Sequence, residues 1–366
     1  MPPLELEHAR SAQVLAEAAL VASLYCAGLK LTAALDLATW RVPLRLTLIT
    51  MPVTAALTAG AARVLLGLPI EEALVLGAVL APTDAGLVSR LDLPEAEHPS
   101  SARLALTAEG ALTSSLALPL VLLAIGFTGE RDLGPLGSRW LALDVAWAVA
   151  GGVLLGALAG TLGARALARL DARGEAGWLV LLVAASVLAS TYGAALVLEV
   201  NGLAAALAAG ATFARGGIAW RGGFASTGSA RAARLARRLA AGADRIARWV
   251  EMAAAVLIGV LFASSAERPA LILFALLMLV AVRPLAARLG MGAAPIGEAD
   301  RQTLAWFGVR GIASLYYLSL PLDDAAVANA SELTAAVLAV LATSIALHGL
   351  TALPLGKRPA GVQGSR

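Results

Sequence analysis

Eleven apolar stretches, most of them long enough to cross a bilayer as a helix of about 17–25 residues, recur between residues 12 and 352 with little polar sequence between them. They lie near 12–30, 44–66, 70–90, 103–127, 140–164, 177–197, 200–214, 248–265, 269–290, 302–320 and 333–352. Without water to bond the backbone, only helices and closed barrels can occupy hydrocarbon, and runs of this length are helical. Composition agrees: 59% of the 366 residues are hydrophobic and 14% charged, against roughly 25% charged in a soluble domain. The expected fold is an all-α polytopic membrane protein of about eleven transmembrane helices, forming a single membrane domain over 1–366. Cys26 is the single cysteine, which rules out an intramolecular disulfide or a cysteine metal centre. His8, His98 and His348 have no ligand spacing, so a satisfied or solvated histidine is expected at each. With no nucleotide-binding loop or catalytic triad, the chain is expected to be neither a pump nor an enzyme, to need no cofactor and to bind no nucleic acid.

Orientation follows from the basic residues, which favour the cytoplasmic side. If the loop after the first span faces inward, the inward segments hold 22 of the 28 Lys and Arg, the outward ones hold 5, and Arg310 lies within a span. The N-terminus is then outside and the C-terminus cytoplasmic. Arg outnumbers Lys 26 to 2 and Ala is abundant, which points to a GC-rich bacterial genome and nothing more; the expected location is the cell (inner) membrane. The basic loop 215–248 holds eight of the inward charges. In Arg231–Trp249, Leu235, Leu239, Ile246 and Trp249 form one helical stripe flanked by Arg234, Arg238 and Arg245. Such a segment lies on an anionic inner leaflet or serves as a solvated connector.

The third span, Gly77-Ala-Val-Leu-Ala-Pro-Thr-Asp-Ala-Gly86, carries a carboxylate where charge costs about 2.5–3.5 kcal/mol. Pro82 cannot donate a backbone hydrogen bond and the flanking glycines weaken the helix. Either the helix is broken and lines a polar cavity, or it is a kinked packing helix with Asp84 in a structural hydrogen bond. Glu17, Glu109 and Arg310 also fall within spans, and Gly308 and Gly311 bracket Arg310 as Pro82 and Gly86 bracket Asp84. Spans two to four and nine to eleven run in opposite directions, which predicts an inverted-repeat transporter with two broken, crossing helices, near 82–86 and 308–311. The first core unit is 42–127, the second 268–352, and 140–214 supplies scaffold helices. Asp84 then balances positive helix ends and Arg310 negative ones. Glu109 is the expected ion-pair partner of Arg310.

The segments Leu68–Asp84, Asn201–Gly210 and Trp306–Tyr317 resemble, in order, three signatures of the cation:proton antiporters, the bacterial sodium/proton exchanger type. The resemblance implies a thirteen-helix fold with a six-helix ion-translocating core and a scaffold that usually dimerises. The eleven spans correspond to helices three to thirteen, so two scaffold helices are missing, through a shorter chain or a misplaced start codon. It also implies Na⁺, K⁺ or Li⁺ exchanged for H⁺, a Glu109–Arg310 pair, and a site near Glu17, Thr83 and Asp84. The family's fourth-span pattern Glu-Ser-Gly-Leu-Asn-Asp-Gly reads here Glu109-Gly-Ala-Leu-Thr-Ser-Ser115. Thr113 stands for the Asn, and Ser114 for the carboxylate that takes cation or proton. A hydroxyl is neutral and does not titrate in the useful range. Three expectations therefore stand: an antiporter whose titration has moved to Glu17 or Asp84, a degenerate antiporter fold without coupled exchange, and a transporter of another solute.

Overall fold

The computed structural model describes residues 3–31, 33, 36–84, 102–171, 177–216, 268–292, 294, 296–323 and 327–355. Among them there are helices and turns and no strand. In chain order the helices are α1 (Pro3–Lys30), α2 (Leu37–Leu65), α3 (Ile70–Leu80), α4 (Ala102–Phe127), α5 (Ala148–Asp171), α6 (Gly177–Val197), α7 (Gly202–Ala214), α8 (Pro269–Met291), α9 (Glu298–Trp306), α10 (Ile312–Asp323) and α11 (Ala330–Leu355). Among the described residues, six apolar segments are long enough to span a membrane, and those in α6, α7 and α10 are shorter. This is a polytopic membrane fold. The span expected at 248–265 and the interfacial helix within 215–248 lie outside the described residues.

Both interruptions occur where the sequence placed them. Helix α3 ends at Leu80 and Pro82–Asp84 is non-helical, while residues 307–311 separate α9 from α10. Two further irregularities mark α2 and α8. Each contains one wide π-helical turn, Leu46–Thr50 and Met278–Val282, followed at once by Met51-Pro52 and Arg283-Pro284. A proline lacks the N–H that would bond the carbonyl four residues back, and a π turn re-routes that carbonyl. The two helices occupy equivalent places in the two expected core units. They also touch there: Thr50 donates to Ala286 O at 3.3 Å, and Arg45 Nε to Gly290 O at 2.8 Å.

The interior is held by close backbone approach as much as by bulk. A Cβ on Gly152, Gly156 or Gly160 of α5 would stand 2.4, 2.1 or 2.2 Å from the carbonyl oxygens of Asn201, Ala205 and Ala209. On the opposite side of α7, Gly210 meets Tyr25 O and Gly28 meets Leu207 O in the same manner. Small residues every fourth position let helices pack without a solvent-driven hydrophobic force, which lipid does not supply. Asn201 starts α7, its Oδ1 accepting from Ala204 N at 2.9 Å while its Nδ2 donates to Ser115 O at 2.9 Å. Helix α3 is buried nearly all round, from Ala73 to Leu80. Its Glu72 accepts from Ala328 N, Asn329 N and Asn329 Nδ2 at 2.9–3.2 Å, and so caps the entry to α11. Leu154, Leu158 and Leu162 of α5 and Leu181 and Leu182 of α6 are exposed, as a lipid-facing surface requires.

Gly156→Leu places its Cβ against the Ala205 carbonyl, so a loss of about 1–3 kcal/mol from overpacking is expected. Gly60→Ala, with nothing within 4 Å of the added carbon, should leave stability unharmed. Melting temperatures in detergent check the contrast.

Candidate functional site

The two breaks meet as crossed strands of backbone. Asp84 N donates to Val309 O at 2.9 Å, joining the stretch after α3 to the stretch before α10. Asp84 Oδ2 accepts from Ile312 N at 3.0 Å, at the first turn of α10. A Cβ on Gly311 would come within 2.1 Å of that oxygen, so glycine there admits the carboxylate. In the reverse sense, Arg310 Nη1 donates to Pro82 O at 2.7 Å and also to Ala81 O, the carbonyls that directly follow α3. Each break thus presents to the other the charge its helix end favours: anion at an N-terminus, cation at a C-terminus. Arg310 N is itself held by Ser344 Oγ of α11 at 3.0 Å.

Helix α4 lies against this crossing. Thr113 Oγ1 is 3.1 Å from Thr83 Oγ1 and 3.2 Å from Thr83 N, and Ser114 Oγ donates to Thr83 O at 2.7 Å. Thr113 Oγ1 also lies 2.9 Å from Glu109 O and 3.3 Å from Gly110 O, within reach because i−4 and i−3 carbonyls face a helical threonine. Tyr317 of α10 donates its phenol to Ser114 O at 2.6 Å. Thr83, Asp84, Thr113, Ser114 and Tyr317 are all buried. The result is a buried cluster of hydroxyl and carbonyl oxygens beside one carboxylate, a donor set suited to a hard cation.

Glu17 is not joined to this cluster by any hydrogen bond among the described residues. Its carboxylate accepts from the phenol of Tyr192, linking α1 to α6.

The expected Glu109–Arg310 pair is corrected. Glu109 binds Arg283 of α8 in a bidentate pair, Oε1 to Nη1 at 2.6 Å and Oε2 to Nη2 at 2.9 Å, with both residues at most 2% exposed. Arg283 Nη2 also reaches Leu304 O near the end of α9 at 3.2 Å, and its stem passes where a Cβ on Gly308 would be. Arg310 instead bonds the Ala81 and Pro82 carbonyls at the break, two oxygens that one guanidinium nitrogen reaches together. Counting Arg283 with the inward loop hid this role, so one of the 22 inward charges is an interior one. The signal was its position, directly after an apolar run and before Pro284, matching Met51-Pro52. Ser344 and His348, four residues apart on the last span, are further site residues that composition did not single out. Nε2 of His348 lies 3.2 Å from Trp306 O.

A family profile described as "Sodium/hydrogen exchanger, transmembrane" matches residues 3–358. Among solved structures, the sodium proton antiporter MjNhaP1 from Methanocaldococcus jannaschii at pH 8 superposes with a TM-score of 0.69 at 17% identity, over 96% of this chain and 88% of that one. The same antiporter seen by electron microscopy gives 0.62 at 17% identity, over 95% and 85%. Curated proteins yield no match. At these identities the structural likeness is one of fold.

Removing one partner of the buried Glu109–Arg283 pair, by Glu109→Gln or Arg283→Met, should destabilise by about 3–5 kcal/mol. The double change should cost less than the sum of the two. The coupling of Glu109 to Arg283 in detergent unfolding should exceed its coupling to Arg310, measured with Arg310→Met.

Proposed function

Because the chain belongs to the sodium/hydrogen exchanger family, we propose that it exchanges a monovalent cation for protons across a membrane, with Asp84 as the carboxylate for which they compete. Family membership implies Na⁺ and H⁺; Li⁺ and K⁺ are the further cations to try. The observation that carries the reading is the burial of Asp84 at the crossed breaks beside the oxygens of Thr83, Thr113 and Ser114. The amide of Ile312 and the N-terminal end of α10 stabilise negative charge on Asp84. A bound cation or a bound proton neutralises that charge in turn, and the hydroxyls replace part of the cation's hydration. Ser114, a hydroxyl where the family pattern has a carboxylate, contributes a neutral oxygen and does not titrate. Glu17 is the second carboxylate near the core, and its bond from Tyr192 leaves the competing role to Asp84.

In this reading the protein sits in the bacterial inner membrane with its N-terminus outside and its C-terminus cytoplasmic. The basic residues, eight of them in 215–248, support that orientation. The exposed apolar face of α5 and α6 fits lipid or a second copy in a homodimer.

One observation favours a second reading, the antiporter fold without coupled exchange. Ser114 Oγ is spent on Thr83 O, and the Thr83 and Thr113 hydroxyls bond each other, so the cluster is satisfied without an ion.

Proton flux in everted vesicles, followed by fluorescence dequenching, separates the two. Addition of Na⁺, Li⁺ or K⁺ should dequench with the wild type. Asp84→Asn should abolish the signal, Glu17→Gln should leave most of it, and Thr113→Asn with Ser114→Asp should strengthen it. Silence of the wild type with all three cations, alongside a response from the double variant, would establish the second reading instead.

A further inference from the structure

We propose that the first turns of α2, the second half of α8 and α9 form one unit that opens as a body within the core. Its hinges are the two π turns and the break at 307–311, and its opening uncovers the crossing at Asp84 from one end. Among the described residues, the buried apolar side chains pack into two separate bodies. The smaller draws on Leu46 of α2, Ala287 and Met291 of α8, Leu304 of α9, and Phe307 and Val309 of the break. Ala105 and Leu106 of α4 close it on the far side.

The division between the two bodies falls at the interruptions. In α2, Leu46 belongs to the smaller and Met51 to the larger, on either side of the π turn. In α8, Leu279 belongs to the larger and Ala287 to the smaller, and the end of the second π turn and Pro284 lie between them. Val309 and Ile312 are divided in the same way across the break. Helix α4 passes from Leu106 in the smaller body to Ala108 in the larger without interruption, so it is the wall against which the unit closes. Helices bend at π turns and prolines, and hinge motions are absorbed by a few residues at such places. Three interruptions that all coincide with one packing boundary let the unit turn with little loss of helical hydrogen bonding.

The unit is also tied to itself. Arg45 Nε donates to Gly290 O at 2.8 Å, joining α2 to α8, and Arg301 of α9 donates to Gly292 O and Ala294 O at 2.7 and 3.0 Å. Its buried charge lies at the pivot. Arg283 directly follows the π turn of α8, and its partner Glu109 stands on the wall three residues beyond Leu106, so the pair has a short lever arm and stays matched as the unit swings. The contacts that yield include those of Trp306 with α11, Nε1 to Thr351 Oγ1 at 3.1 Å and O to His348 Nε2 at 3.2 Å. Val309 O accepts Asp84 N, so the motion acts directly on the residue at the crossing.

Hydrogen–deuterium exchange of the full chain in detergent tests the unit without any transport. Peptides covering 37–46, 283–292 and 298–306 should share one protection, lower than that of 51–65 and 312–323, as a cooperative opening requires. Leu46→Ala should speed exchange in all three segments together, by about tenfold or more, and leave 51–65 unchanged. Thiol labelling gives a second measurement that needs no core truncation. In a Cys26→Ser background, Ala105→Cys on the wall should react with a maleimide, and Ala117→Cys in the larger body should stay protected. Pro52→Ala with Pro284→Ala restores the two missing N–H groups and stiffens the hinges, so it should slow both the exchange and the labelling severalfold. Unequal protection among the three segments, a Leu46→Ala effect confined to 37–46 or spread along all of α2, or equal labelling of the two thiols would overturn the proposal. Its bearing on transport rests on the exchange reading above, in which the same proline pair should slow cation-driven proton flux. Absence of flux in the wild type with the shared opening intact would remove the transport reading and leave the unit standing.

Discussion

The hydrogen bond from Asp84 N to Val309 O joins two lengths of backbone that have each left their helix in the buried interior. Every unsatisfied amide or carbonyl there costs several kcal/mol, so two separate breaks would be prohibitive. Crossed, they bond each other, and what remains is charge: a positive helix end met by Asp84 and carbonyls met by Arg310. The remaining interior charges are arranged to protect that exchange of partners. Arg283 is withdrawn from the crossing by its bidentate bond to Glu109, and it steadies the end of α9 through Leu304 O. Glu72 performs the matching service at the entry to α11.

Against that frame the chemistry of residue 114 has a defined meaning. A hydroxyl fits the space and bonds Thr83 O, so the local architecture is complete without a second carboxylate. Among the described residues, the carboxylate next to these threonines is that of Asp84, which accepts Ile312 N.

Much of this was legible in the sequence, for reasons that differ by residue. The breaks were readable because Pro82, Gly308 and Gly311 remove hydrogen bonds or side chains in ways no neighbour can reverse. The opposed charges of Asp84 and Arg310 were readable because ionisable groups at membrane depth need a stated partner. Which cation meets Glu109 was not readable, since partner choice among Arg283 and Arg310 depends on reach and angle across three helices. The wide turns of α2 and α8 had a local cause, Met51-Pro52 and Arg283-Pro284, but only their equivalent placement shows the repeat. The cluster of Thr83, Thr113 and Ser114 followed from the resemblance, whereas Ser344 and His348 act through backbone contacts that leave no pattern. The glycine row of α5 and its partners on α7 emerged only with the structure.

That glycine row has a consequence for how such a chain can diverge. At Gly152, Gly156 and Gly160 the opposing surface is main chain, whose shape is the same whatever residues α7 carries. Replacement on α7 therefore leaves the fit intact so long as its facing positions stay small, while replacement in the row on α5 does not. Drift should accumulate on three sides of each helix and stall on the fourth. An architecture locked by main chain in this way can outlast nearly all of the side chains that first built it.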